Sequence, residues 1–147
     1  MSQARVKISQ QHALLIESLR GRGWTDDELL GISGRGGLPK DDSVFAFDYE
    51  ELREFAVREP ELYASAVREG YRMKFNTLGG LRCWLYLAFG GEPHIDRRPG
   101  LEGISAILTD GQLAKLEEAL AYGWQVQQVG ESLDSGKATY RIEPAVR

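Results

Sequence analysis

The sequence predicts an α+β fold, a single small domain in which about six helices pack on a small mixed or antiparallel sheet with a C-terminal β-hairpin. The chain has 147 residues, of which 42% are apolar and 27% charged, as in one ordinary globular domain. Helical apolar spacings recur between glycines and prolines, whereas strand-like runs are few, short and irregularly ordered. We therefore expect one domain over 1–147, helical over about 1–40 and mixed over about 41–147.

Two capping signals predict the N-terminal helices. Ser9 is a good N-cap for a helix that runs to about Arg20, over which apolar residues recur at spacings of three. The Thr25–Glu28 segment is a capping-box pattern, which predicts a short second helix over Asp26–Ile32. Four glycines and a proline follow in Gly31–Asp42, so we expect a surface loop there.

The middle of the chain alternates short strand and helix signals. The apolar run Val44–Phe47 predicts a short buried strand, and Asp48 is a good N-cap for the helix behind it. Pro60 is typical of a helix start, and the helix that it opens should end at Gly70. Strict alternation over Tyr71–Phe75 then predicts a half-buried strand.

Two further helices are expected in the second half of the chain. Asn76 or Thr77 caps a helix that continues through Ala88. Thr109–Gln112 is a second capping-box pattern, and the helix behind it should end at Gly123.

The C-terminal segment predicts a β-hairpin. Trp124–Val129 and Thr139–Glu143 have the composition of strands, joined by a turn that includes Asp134–Gly136. Tyr140 and Ile142 alternate with polar residues, so we expect both to face the core.

Composition and charge exclude several function classes. The net charge is -4, and no run approaches the roughly 18 apolar residues of a membrane span, since Leu81–Phe89 contains Arg82. Met1–Lys7 lacks the apolar region of a secretory signal, so we expect a cytoplasmic protein without a membrane. Nucleic-acid binding is disfavoured because a helix-turn-helix would turn the Asp26–Glu28 carboxylates toward phosphate.

One segment has the spacing of metal ligands. Glu92, His94 and Asp96 alternate, so an extended backbone would place all three on one face. Cys83 offers little as a nucleophile, because it lies in an apolar helix, where burial makes a thiol inert. A metal-dependent enzyme is therefore an alternative, and the main expectation is a protein without a metal, a cofactor or catalytic residues.

Arginines suggest a second alternative. Arg97 and Arg98 lie in Gly90–Leu108, which is long for a connection unless Ile104–Leu108 forms an extra strand. Adjacent arginines can hold a phosphate or carboxylate bidentately, and the glycine-rich loop around Arg35 offers a possible anion nest. That loop lacks the Lys-Ser/Thr pair of a P-loop. Small-molecule or anion binding thus stays open.

By elimination, the sequence favours a small cytoplasmic, non-enzymatic binding or regulatory protein that acts through protein–protein interaction. We expect Gly90–Leu108 to form the contact. The candidate binding residues are His94, Arg97, Arg98 and Arg35. Tyr86 and Tyr122 do not fit the apolar faces of their helices, which favours a partner or homo-oligomer interface.

Overall fold

The computed structural model describes residues 5–133 and 135–146. Along the chain, helices are interspersed with short strands that form two separate β-sheets. The helices are α1 Gln10–Gly21, α2 Asp26–Leu30, α3 Glu50–Arg58, α4 Pro60–Glu69, α5 Leu78–Phe89 and α6 Asp110–Ala119. The strands are β1 Val6–Ile8, β2 Tyr71–Met73, β3 His94–Asp96, β4 Gly103–Thr109, β5 Trp124–Gln128 and β6 Lys137–Pro144. The predicted α+β class, with helices on small sheets and a C-terminal hairpin, is confirmed.

Polar caps begin the helices largely where the sequence predicts them. The Ser9 hydroxyl accepts a hydrogen bond from the His12 backbone N–H at 3.1 Å at the start of α1. Capping boxes at Thr25 and Thr109 begin α2 and α6, as predicted. α2 ends at Leu30, two residues before the predicted end, and a 3-10 turn follows over Ile32–Gly34.

The predicted strand Val44–Phe47 is wrong. The Asp41 carboxylate accepts hydrogen bonds from the backbone N–H groups of Ser43, at 2.9 Å, and Phe47, at 2.8 Å. These bonds fold the segment into a turn, with Ala46 at a φ of 48° and Val44 96% exposed. A buried aspartate outweighs the apolar run because it satisfies the backbone locally.

A two-stranded parallel sheet joins the N-terminal segment to the middle of the chain. β1 pairs with β2, with Val6 opposite Tyr71 and Ile8 opposite Met73. β1 was not predicted, because three residues are too few for a periodic signal. The strand expected over Tyr71–Phe75 stops at Met73, and Phe75 is exposed.

The second sheet is antiparallel and has the strand order β3-β4-β6-β5. The expected hairpin is β5 and β6, in which Tyr140 and Ile142 are buried as predicted. Asp134, in the predicted turn, lies outside the described residues, as do residues 1–4 of the expected Met1–Lys7 segment. α6 ends at Ala119, before Gly123, because the chain turns to an extended conformation at Leu120.

A charged residue lies in the core between the helices and the parallel sheet. The Glu17 carboxylate, 1% exposed, accepts hydrogen bonds from the Tyr71 hydroxyl at 2.6 Å and the Lys115 ammonium at 2.8 Å. Arg20 donates a third bond at 3.2 Å, and the Trp84 indole N–H donates to the Tyr71 oxygen at 2.8 Å. These five side chains, the Glu17 cluster, connect α1, β2, α5 and α6.

Among residues 5–133 and 135–146, no helix is both long enough and apolar enough to cross a lipid bilayer.

Candidate functional site

The segment Gly90–Leu108, expected as a long connection, is mostly a β-hairpin. β3 and β4 pair over His94–Asp96 and Gly103–Ser105, and the intervening turn carries Gly100 at a φ of 79°. The possible extra strand over Ile104–Leu108 is therefore present as part of β4. This hairpin fixes the candidate contact segment to the edge of the antiparallel sheet.

β3 begins at His94 and does not extend to the residues that precede it. Pro93 is buried and has no N–H to donate to a ladder, and its carbonyl accepts a hydrogen bond from Arg82 Nε at 3.1 Å. Before it, Gly90 and Gly91 both have a φ of 77°, which turns the chain away from the sheet. β3 consequently covers only the Gly103–Ser105 part of the β4 edge.

A groove of about 490 Å³ lies beside the remaining part of that edge. The groove is lined by the C-terminal end of α5, the residues that lead into β3, the strand β4, the first turn of α6 and the start of β6. The lining residues are Leu85, Phe89, Gly90–His94, Ser105–Leu108, Gln112, Lys137 and Thr139. Candidate residues Glu92 and His94 thus belong to this groove.

The groove lining is mostly apolar and carries two opposite charges. Leu85 and Leu108 are buried beneath it, Phe89 is half-buried, and Ile107, 56% exposed, points to the outer face of the sheet. Lys137 lies opposite Thr109, and Glu92, at the entry to β3, also lines the groove. Apolar surface bordered by single charges is a common composition of binding sites.

Arg98, predicted as a binding residue, is held by a carboxylate of its own hairpin. Its Nε and Nη2 atoms donate to Asp96 at 3.0 and 2.7 Å. Arg141 lies 3.7 Å from the same carboxylate and donates to Glu143 at 2.8 Å. Hydrogen bonds from Arg98, together with both guanidinium charges, hold the pKa of Asp96 well below its ordinary value.

Arg97 and Arg35 have other surroundings, so the structure does not gather the three arginines at one carboxylate or pocket. Arg97 Nη2 lies 4.0 Å from the position that a Cβ would take at Gly79, in the first turn of α5. The Arg35 guanidinium stacks 4.3 Å from the Trp24 ring centroid and lies 3.7 Å from Glu28. Neither arginine lines the groove.

Two of the three candidate metal ligands lie on one strand face. His94 and Asp96 alternate on β3, as the extended spacing predicts, but Asp96 bonds Arg98. Among residues 5–133 and 135–146, no group of three or more His, Cys, Asp and Glu side chains is arranged to hold a metal ion.

Two further reactive side chains, those of Cys83 and His12, are packed into the fold. Burial raises the pKa of the Cys83 thiol to about 11, which disfavours the thiolate. The His12 ring stacks on Phe55 at 4.2 Å, and burial, with the nearby Arg58 charge, lowers the pKa of His12.

Both tyrosines that the sequence assigns to an interface are exposed. Tyr86 is 48% exposed and lies 6.0 Å from the ring of Phe45, on the turn that Asp41 folds. Tyr122 is 72% exposed, with Lys7 and Arg72 at 5.0 and 4.5 Å from its ring centroid. Their role in an interface remains a prediction.

Sequence reasoning missed Ile107, Lys137 and Phe89 as groove residues. A signal existed for Ile107, because Ile104, Ala106 and Leu108 face inward and leave it as an apolar residue on the outer face. No comparable signal existed for Lys137, because its place opposite Thr109 depends on the β4–β6 pairing.

No protein-family model, curated protein or solved structure matches the chain.

Proposed function

We propose that this chain is a small cytoplasmic, non-enzymatic protein that acts by binding a protein partner at the groove beside β4. The observation that carries the proposal is Ile107, 56% exposed in a groove with apolar walls. A branched apolar side chain held outward on a strand gains free energy when a partner covers it. Both ends of the Gly90–Leu108 segment, which the sequence favours as the contact, line this groove.

The composition of the groove also supports a protein partner. Phe89 and Ile107 supply exposed apolar surface, while Glu92 and Lys137 supply opposite charges. Protein interfaces typically combine an apolar centre with a polar rim. The two charges add selectivity for a partner with complementary charges.

The two alternatives have weaker support. An anion site using Arg97 and Arg98 would have to displace Asp96, whose carboxylate already bonds Arg98 at 2.7 Å. The same bond competes with a metal at Glu92, His94 and Asp96.

Site-specific photocrosslinking in the native host tests the proposed function. The photoreactive residue p-benzoylphenylalanine replaces Ile107 in one variant and Val57 in a matched control. Val57 is 63% exposed on α3 and does not line the groove. We expect Ile107 to give a discrete crosslink to another polypeptide that Val57 does not give.

Competition gives this experiment its specificity. An excess of untagged wild-type protein should suppress the crosslink at position 107, whereas an excess of the Ile107→Asp variant should not. Absence of any polypeptide crosslink at position 107, or equal crosslinking at position 57, would contradict the proposed function.

A further inference from the structure

We propose that the edge of β4 over Ala106–Leu108 binds an extended segment of another polypeptide, which adds to the sheet as a strand beside β4. This inference rests on the proposed function and names the form of the partner. Such strand addition uses main-chain hydrogen bonds for affinity and side-chain pockets for selectivity.

The composition of the groove places it at a free strand edge. Ala106 and Leu108 line it from the inner face of β4, and Ser105 and Ile107 line it from the outer face. Residues from both faces meet in one groove only where no neighbouring strand separates them. In the part of the chain that the structure describes, β3 pairs with β4 only over Gly103–Ser105, and β6 pairs along the opposite edge.

The chain itself is unable to fill this edge by lengthening β3. Continuation of the β3 register would place Pro93 opposite Ala106, where proline has no N–H to donate. The bond from Arg82 to the Pro93 carbonyl and the positive φ angles of Gly90 and Gly91 hold the chain away. The open edge therefore follows from the conformation of the chain before β3.

The residues of this edge are not of the kinds that usually protect an edge strand from pairing with other chains. Natural edge strands commonly carry lysine or proline, or are covered by another element. Ala106–Leu108 contains neither residue, and its outward side chain is Ile107. By contrast β5, at the other edge of the sheet, turns Gln125 and Gln127 outward.

The groove walls define the chemistry of the segment that fits. A side chain on its inner face would contact the half-buried Phe89, and a side chain on its outer face would lie beside Ile107. Near Thr109 the Lys137 ammonium favours a carboxylate. The expected ligand is an extended segment with alternating apolar residues and an acidic residue at the Lys137 end.

The shape of the groove favours a single strand over a second copy of this protein. Phe89 and Gly90–Pro93 bound the groove on the side away from β4. An incoming strand would lie between β4 and this segment, whereas a second copy would bring an edge bounded in the same way. About three residues, roughly 7 Å of extended chain, span Ala106–Leu108, because the Thr109 N–H already donates to Gln112 Oε1.

Selection from a phage-displayed library of random ten-residue peptides tests the inference. Wild-type protein is the bait, Ile107→Asp is the counter-bait, and enriched peptides are synthesised for fluorescence-anisotropy titration. We expect alternating apolar sequences whose affinity falls about tenfold or more with Ile107→Asp and less than about twofold with Val57→Asp. Lys137→Glu should weaken the binding of those peptides that carry an acidic residue.

Backbone methylation of the best peptide examines the main-chain hydrogen bonds directly. Only alternate amide groups of an added strand face β4, so N-methylation of one alternating set should reduce affinity about tenfold or more. Methylation of the other set should be tolerated within about twofold. Circular dichroism of Ile107→Asp and Lys137→Glu establishes that each variant is folded.

Three results would overturn the inference. They are the recovery of no peptide that distinguishes wild-type protein from Ile107→Asp, equal tolerance of both methylated sets, and self-association that Ile107→Asp abolishes. The last result would assign the edge to a second copy. A persistent cellular crosslink at position 107 with methylation-insensitive peptides would retain the proposed function and reject strand addition.

Discussion

Replacement of Tyr71 by phenylalanine removes one oxygen atom from the Glu17 cluster and leaves the ring in place. That oxygen donates a hydrogen bond to the Glu17 carboxylate at 2.6 Å and accepts one from the Trp84 indole N–H at 2.8 Å. Tyr71, Glu17 and Trp84 are 4%, 1% and 0% exposed, so water does not replace the missing partner without rearrangement. Both bonds are lost in a low-dielectric environment.

The two lost bonds set the expected magnitude. A hydrogen bond to a charged group contributes about 1.5–3 kcal/mol, and an unsatisfied buried donor costs about 1–3 kcal/mol. The Glu17 carboxylate keeps its bonds from Lys115 and Arg20, which limits the loss. Because such terms are not additive, we expect Tyr71→Phe to lower the free energy of unfolding by about 2–4 kcal/mol.

Equilibrium urea unfolding, followed by tryptophan fluorescence and circular dichroism, measures this loss. With an m-value of about 2 kcal/mol/M, the midpoint should fall by about 1–2 M. Tyr122→Phe, at a 72% exposed position, is the control and should shift the midpoint little. A loss below about 1 kcal/mol for Tyr71→Phe would refute the view that the buried hydroxyl stabilises the core.

Three further predictions concern local features of the fold. Hydrogen bonds from Phe47 and Ser43, with the charge of Arg22, outweigh the effect of burial and lower the pKa of Asp41, so its stabilisation is lost as pH falls through the folded-state pKa. Asp41→Asn should flatten this dependence below about pH 4 in urea titrations, and an unchanged slope would contradict it. Gly80→Ala should be less stable than Gly79→Ala by about 1–2 kcal/mol in thermal unfolding, because a Cβ at Gly80 lies 1.9 Å from Gln10 Nε2 and displaces the Gln10 amide from its bonds to Thr77 and Asn76. Gly79→Ala itself should stabilise by about 0.4–1 kcal/mol, and the reverse order would be inconsistent with the Gln10 contact. Cys83, whose pKa burial raises to about 11, should react with iodoacetamide at pH 8 roughly 100-fold more slowly in folded than in urea-unfolded protein, and equal rates would exclude this protection.

Elements with local signals were predictable, and elements that depend on distant pairing were not. The hydroxyl caps at Ser9, Thr25 and Thr109 accept amides three residues ahead, so sequence spacing alone locates the helix starts. β1 and β3 are each three residues long and form only because a distant or hairpin partner is present. Short strands of this kind have too few residues to show a period.

The candidate site was predictable only in its location. Gly90–Leu108 stood out by length and composition, and its ends line the groove. The arginine pair looked available because sequence does not show that Arg98 turns back onto Asp96 or that Arg141 lies 3.7 Å away. Apolar walls from Leu85 and Phe89 likewise depend on how α5 packs against the sheet.

The parallel β1–β2 pairing has a consequence for the order in which the protein is completed during synthesis. The Gln10 amide bonds Thr77 across a separation of 67 residues, next to the strand pair. At about 5–20 residues per second, roughly 3–13 s pass before the ribosome supplies that partner. During this interval the apolar face of α1, which carries Leu15, Ile16 and Leu19, has no completed core to cover it. The nascent N-terminal third therefore exposes an apolar helix face of the kind that chaperones bind, and slower translation would lengthen this exposure.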